Sequence, residues 1–185
     1  EFSAKDFRGR SHSLSEYSDS SVVVLAFLGT ECPLAKLYGP RLASISRQYS
    51  DKGVTILGVN SNRHDSITEI SAYARLHEID FPILKDLDNR IADQVGATRT
   101  PEILVLDQKR VVRYHGRVDD QYGVGYIRDE PQKAFVTDAI DSLLASRPVT
   151  TATTEVVGCF IGRQRKPDPD SEVTFSNQIA RILNK

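Results

Sequence analysis

Val22–Pro40 reads VVVLAFLGTECPLAKLYGP. Val22, Val23, Val24, Leu25, Phe27 and Leu28 form an apolar, largely β-branched run without polar alternation, which predicts a strand covered on both faces. Cys32 stands directly before Pro33, and a proline in the first helical turn sacrifices no hydrogen bond because that N–H would have no intrahelical acceptor. The stretch therefore predicts strand, short turn and helix, with Cys32 capping the helix. At that position the helix dipole and its free N–H groups favour thiolate over thiol, which is how a cysteine becomes nucleophilic.

The 185 residues are 39% hydrophobic and 26% charged, enough for one full core with chain left over. Formal net charge is −1 with acids and bases interspersed, which argues against a nucleic-acid footprint or a polybasic membrane surface. The longest apolar run is seven residues, against the roughly twenty that cross a bilayer. No charged-apolar-cleavage pattern opens the sequence, but the absence of methionine predicts a processed or excised chain, with room for a removed signal peptide. Cys32 and Cys159 are too few for a disulfide scaffold or a cysteine zinc site, and His12, His64, His77 and His115 share no ligand spacing, so neither metal nor cofactor is expected. Two cysteines do suffice for one redox pair.

Outward from the central stretch, Phe2–Ser18, with a turn at Gly9, predicts a short hairpin or an extended arm. The helix after Cys32 places Leu34, Leu37, Tyr38, Leu42, Ile45 and Tyr49 on one face, with an interruption expected at Gly39-Pro40. Val54–Val59 is a second buried strand, followed by the polar loop Asn60–Asp65. Ser66 and Glu69 form a capping box for a helix to about His77 with Ile67, Ile70 and Ala74 inward. This strand-helix alternation predicts parallel strands with helical crossovers. Phe81–Leu84 reads as a short strand, Asn89–Val95 as a short helix capped by Gly96, and Thr100-Pro101 precedes a hairpin of ILVLD and VVRYHG. The long 117–131 segment has the length of a functional loop, and a helix is expected over Gln132–Ser146. The division is thus a domain over 1–147 and an extension over 148–185, with a strand near Glu155–Ile161, a charged linker over Gln164–Glu172 and a short terminal helix.

The element order, FLGTECP at Phe27–Pro33, Pro40 eight residues after Cys32, and Thr100-Pro101 before the hairpin together resemble the thioredoxin fold. The resemblance is to its redoxin branch, which includes the alkyl hydroperoxide reductase and thiol-specific antioxidant proteins. It implies an α/β fold with a central mixed β-sheet flanked by helices, and matches Thr100-Pro101 to the family's cis-proline loop, whose backbone faces the reactive sulfur. It also implies that Asn60, Asn62, Arg63, Arg117, Asp119 and Asp120 gather at the edge carrying Cys32. The implied catalytic pair is Cys32 with Cys159, and the implied substrate-binding set is Thr30, Glu31, Pro33, Asn60, Asn62, Thr100, Pro101, Arg117 and Asp119.

Departures from the family pattern narrow the chemistry. Ala35 occupies the position of the second cysteine in disulfide-reducing relatives, and Gly29 that of the peroxide-orienting threonine in peroxiredoxins. Cys159, in VVGCFIG, is then the available resolving thiol; reversible pairing with Cys32, a static bridge and no pairing all stay open. The first functional reading is a thiol-dependent oxidoreductase acting on a peroxide or on a thiol or disulfide partner, regenerated by an external thiol reductant. The second is a non-catalytic binding module with a structural Cys32–Cys159 bridge. The opening and the terminal VTFSNQIARILNK resemble extracytoplasmic redoxins, the latter the lead-in to a c-type cytochrome domain, which places any haem beyond Lys185.

Overall fold

In the computed structural model, which describes residues 1–163, 170 and 172–183, the chain opens with the hairpin β1 (Ser3–Lys5) and β2 (Ser11–Ser13). It continues through β3 (Val22–Phe27), α1 (Pro33–Tyr49), β4 (Val54–Asn60), α2 (Ile67–Leu76), β5 (Ile83–Lys85) and α3 (Arg90–Val95). Then come β6 (Arg99–Thr100), β7 (Glu102–Leu106), β8 (Val112–Gly116), a small hairpin of β9 (Tyr122–Gly123) and β10 (Tyr126–Ile127), α4 (Phe135–Leu144), β11 (Cys159–Phe160) and α5 (Ala180–Leu183).

The main sheet has the order β5-β4-β3-β7-β8. Strand β3 runs parallel to β4 and antiparallel to β7, so the sheet is mixed, as the resemblance implies. Every residue of β3 is buried. Because strand side chains alternate, Val22, Val24 and Ala26 join a core layer with α1, α2 and α4, while Val23, Leu25 and Phe27 join a second layer with Phe2, Leu14, Ile91 and Ala92. Each large side chain removed from water in these layers contributes about 1.5–3 kcal/mol.

Several local expectations shift. Helix α1 runs unbroken through Gly39-Pro40. Gly39 is needed for close packing rather than as a break: a Cβ there would lie 2.9 Å from the Tyr73 hydroxyl and 3.2 Å from His77 on the α2 side. Leu37 and Ile67, expected inward, are 48% and 45% exposed, while Tyr38, also expected inward, is buried together with Tyr73. The capping box forms, with the Glu69 amide donating to Ser66 Oγ and the Ser66 amide to Glu69 Oε2. Helix α4 begins only at Phe135, because Asp120 Oδ1 takes the amides of Gln132 and Lys133 into a turn. Among the described residues of the extension, only Cys159–Phe160 is strand. The Gln164–Glu172 linker falls almost wholly outside the described residues. Among those that are described, no helix is long and apolar enough to cross a membrane.

After α4 the chain returns along the domain. The His115 amide donates to the Ala152 carbonyl at 2.9 Å and the Thr154 amide to the His115 carbonyl at 3.1 Å, so this segment lies parallel along β8. It then crosses to β6, where β11 pairs antiparallel with Cys159 opposite Thr100 and Phe160 opposite Arg99. Ile161, 5% exposed, enters the second core layer.

Candidate active site

Strand β3 delivers the turn Leu28–Glu31 to the start of α1. Cys32 is the N-cap in extended conformation (φ −72°, ψ 118°), Pro33 stands at the first helical position, and the Lys36 amide donates to the Cys32 carbonyl at 3.0 Å. The Cys32 thiol is 3% exposed and donates to the Thr100 carbonyl at 2.9 Å. The Thr100–Pro101 bond is cis. Both cysteines are free thiols, Cys32 buried and Cys159 exposed, and register on β6 sets Cys159 opposite Thr100, near enough to Cys32 for each thiol to influence the other's ionisation.

Burial alone would raise the Cys32 thiol, but the Thr100 hydroxyl, the Ala35 and Cys159 amides and the Cys159 thiol favour its anion and hold it below the ordinary value. The Thr100 hydroxyl is buried without another partner, so it is at hand when the sulfur ionises. Cys159 moves the opposite way, pushed up to about 11 by desolvation of its sulfur, by its hydrogen bond to Cys32 and by the Cys32 charge, with Arg99 opposing. Cys32 is thus the thiol that ionises more readily and Cys159 the one that holds its proton, the polarity that the helix N-terminus also favours.

Beneath the turn lies a buried polar network. Asp65 Oδ2 accepts the Thr30 amide at 2.9 Å, Asn60 Nδ2 at 2.6 Å and Asn62 Nδ2 at 3.1 Å. Burial pushes the Asp65 carboxyl up, but these donors outweigh it and hold the group below its usual range. Asn60 also donates to the Leu28 carbonyl at 3.1 Å, and Lys85 Nζ donates to Asn60 Oδ1 at 2.9 Å and the Asn62 carbonyl at 2.6 Å. Asn62 reaches the extension too: its Oδ1 accepts the Gly162 amide at 2.8 Å. The asparagine side chain fills the space above Gly29, where a Cβ would overlap Nδ2 and lie 3.0 Å from the Thr100 hydroxyl.

Glu102, buried beside Pro101, shapes β6. Its Oε2 accepts the Thr98 amide at 2.8 Å and the Arg99 amide at 2.7 Å, while Oε1 pairs with His115 Nε2 at 2.5 Å. Burial raises this carboxyl, but His115 and the two amides hold it below the ordinary glutamate value.

Of the residues singled out from sequence, Thr30, Pro33, Thr100, Pro101 and Cys159 lie on the turns and strands around Cys32, and Asn60 and Asn62 in the network beneath it. Glu31 is exposed, 3.5 Å from Lys36. Arg117 turns to the extension, its amide donating to Thr154 Oγ1 at 3.0 Å and its Nε to the Glu155 carbonyl at 2.8 Å. Asp119 is buried against α1, accepting the Tyr38 hydroxyl at 2.6 Å and pairing with Arg41. Asp120 pairs with Arg128 at 3.1 Å. Sequence reasoning passed over Asp65, Lys85, Arg99, Glu102 and Gly158. A signal for Asp65 was present, as the acid closing a loop of hydrogen-bonding residues, and Glu102 directly follows the Thr-Pro pair.

The model of the AhpC/TSA family matches residues 1–115. Among curated relatives, the chain is 28% identical over 115 residues to a thiol-disulfide oxidoreductase ResA from Halalkalibacterium halodurans, covering 62% of this chain and 64% of that protein. It is 25% identical over 120 residues to a chloroplastic peroxiredoxin Q from Triticum aestivum, covering 61% and 54%. The chain thus spans under two thirds of the length of these relatives. A hypothetical protein from Sinorhizobium meliloti superposes with a TM-score of 0.82 at 28% identity, over 89% of this chain and 92% of that one. An oxidised and reduced DsbF of M. tuberculosis, at 20% identity and a TM-score of 0.60 over 77% and 94%, shares the fold. With the family model covering more than half of its residues around a helix-capping Cys-Pro pair, the chain belongs to the AhpC/TSA family.

Proposed function

We propose that the protein is a thiol-dependent oxidoreductase in which Cys32 is the nucleophile and Cys159 the resolving thiol. The observation that carries this reading is the pairing of a buried, anion-favouring thiol at a helix N-terminus with a second free thiol set opposite Thr100. With a disulfide, the Cys32 thiolate attacks one sulfur, forms a mixed disulfide and expels the other as thiolate; Cys159 then gives up its proton, attacks the Cys32 sulfur and releases the second thiol. With a hydroperoxide, the thiolate takes the terminal oxygen to give sulfenic acid and an alcohol, and Cys159 condenses with it, releasing water. An external thiol reduces the resulting Cys32–Cys159 bridge.

Disulfide exchange is the better fit, because the space in which a threonine at position 29 would orient a peroxide is filled by Asn62 and Thr100. The same reading carries an oxidising, extracytoplasmic location and a thiol or disulfide partner.

Substrate consumption by wild type, Cys32→Ser and Cys159→Ser, with a disulfide and with hydrogen peroxide in parallel, tests the assignment. Loss of turnover in both variants, with a substrate adduct accumulating on Cys32 in Cys159→Ser, is expected. Equal rates in all three proteins would remove both cysteines from catalysis.

A further inference from the structure

The strand β6 ends beside the Cys32 sulfur, since the Thr100 carbonyl is the group that sulfur touches. A polypeptide disulfide brought to Cys32 in extended form would align by adding a strand to this edge, drawing on the backbone groups of Thr98–Thr100. That edge is already occupied by the chain's own extension. Cys159 pairs with Thr100 and Phe160 with Arg99, and the Ile161 amide donates to the Thr98 carbonyl at 2.9 Å.

The occupancy is fastened on both sides. Arg99 donates through Nη1 to the Gly158 carbonyl at 2.8 Å, and its guanidinium lies 3.9 Å from the Phe160 ring centre. Beyond the strand, Gly162 is held by Asn62 and by the Arg63 amide, the latter at 2.7 Å to the Gly162 carbonyl, while Ile161 is buried in the core. Gly158 permits the approach: at φ +151° any Cβ would overlap the Thr100 carbonyl oxygen and lie 2.8 Å from its carbon. Backbone atoms cannot swing aside as a side chain would, so a larger residue there separates the extension from β6.

We propose that Gly158–Gly162 is the specificity determinant of the Cys32 site: by filling the strand-pairing edge it excludes extended polypeptide disulfides and confines Cys32 to compact, low-molecular-weight disulfides. This rests on the thiol-oxidoreductase reading above. The step it confines balances as RS–SR plus two protein thiols giving 2 RSH and the Cys32–Cys159 disulfide.

The test measures formation of the mixed disulfide at Cys32 in the Cys159→Ser protein, where no second thiol competes. Two probes leave the same thiopyridone chromophore: 2,2′-dithiodipyridine, and an extended nonapeptide whose central cysteine carries a 2-thiopyridyl disulfide. The small probe should react faster by at least about thirtyfold, and adding Gly158→Ala should shrink that ratio by about tenfold or more, a change of about 1.4 kcal/mol in relative barrier. Ile161→Asn, which withdraws the buried anchor while leaving Gly158 in place, should shrink it likewise and decides the matter if Gly158→Ala does not fold. A ratio unchanged within about twofold in the folded variants overturns the proposal while leaving Cys32 a reactive thiol. Failure of native Cys32 to react even with dithiodipyridine overturns the oxidoreductase reading, and this one with it.

Discussion

A thiolate at Cys32 meets four groups that can donate to it, the Thr100 hydroxyl, the Ala35 and Cys159 amides and the Cys159 thiol, and no basic side chain stands out among the influences on its ionisation. Its reactivity is therefore built from hydrogen bonds and the helix N-terminus rather than from a counter-ion. Because a hydrogen bond to an ionised group contributes about 1.5–3 kcal/mol, Thr100→Val should raise the midpoint of Cys32 alkylation by iodoacetamide by about one to two pH units. Wild-type Cys32 should titrate below the ordinary thiol value. The coupling has a second consequence with the opposite sign. In Cys32→Ser the neighbouring anion is gone, so the Cys159 midpoint should fall from about 11 towards that of an ordinary thiol, with burial of its sulfur the remaining upward influence. Site-resolved alkylation followed by mass spectrometry reads both; a Cys159 midpoint that stays put in Cys32→Ser would show that the two sulfurs do not share a charge.

At the scale of elements, the loop between β4 and α2 holds the Cys32 turn through one carboxylate oxygen, since Asp65 Oδ2 takes donors from Thr30, Asn60 and Asn62. Replacing it by alanine strands buried donors and should cost about 2–3 kcal/mol, measured by urea unfolding. The pH dependence follows from the direction of its shift. The folded carboxyl titrates below the unfolded value of 3.8, so its stabilisation is present above that pH and is lost as pH falls through the folded pKa. Wild type should therefore lose stability more steeply than Asp65→Asn below pH 3.8; parallel acid unfolding curves would mean that the Asp65 carboxyl titrates alike in the folded and unfolded protein. The strands around this loop were legible because VVVLAF and VTILGV are local apolar runs, and α2 because Ser66 and Glu69 announce its cap within four residues. The burial of Leu37 and Ile67 was misjudged because helical spacing marks a stripe without saying how wide the neighbouring element is. Asp65, Lys85 and Glu102 were missed because their partners come from separate strands, and nothing in a short window of sequence shows a buried carboxylate its donors.

Across the whole molecule, the pairing of β11 with β6 was beyond reading from sequence, since it joins residues sixty apart in chain order through a two-residue strand that has no periodicity of its own. Cys159 could be named as a candidate only because no nearer cysteine exists. Its docking changes how oxidation should register in stability. The extension leaves α4, lies along β8, crosses to β6 and buries Ile161 in the layer that Leu25 and Phe27 also occupy, so the two sulfurs are neighbours while both are still reduced. A bridge between them then constrains chiefly the unfolded chain, and for a loop of this length the entropic contribution is about 4–5 kcal/mol. At about 2–4 °C per kcal/mol for a chain of this size, oxidised protein should melt on the order of 10 °C above reduced protein. Cys32→Ser and Cys159→Ser should melt at the same temperature with and without reductant. By the same linkage the folded protein holds its disulfide more tightly than the unfolded chain does, so folding makes the dithiol a stronger reductant. If oxidised protein instead melts at or below the reduced form, forming the bridge must break the β11–β6 pairing or expel Ile161, and hydrogen exchange at the Ile161 amide would rise on oxidation rather than fall.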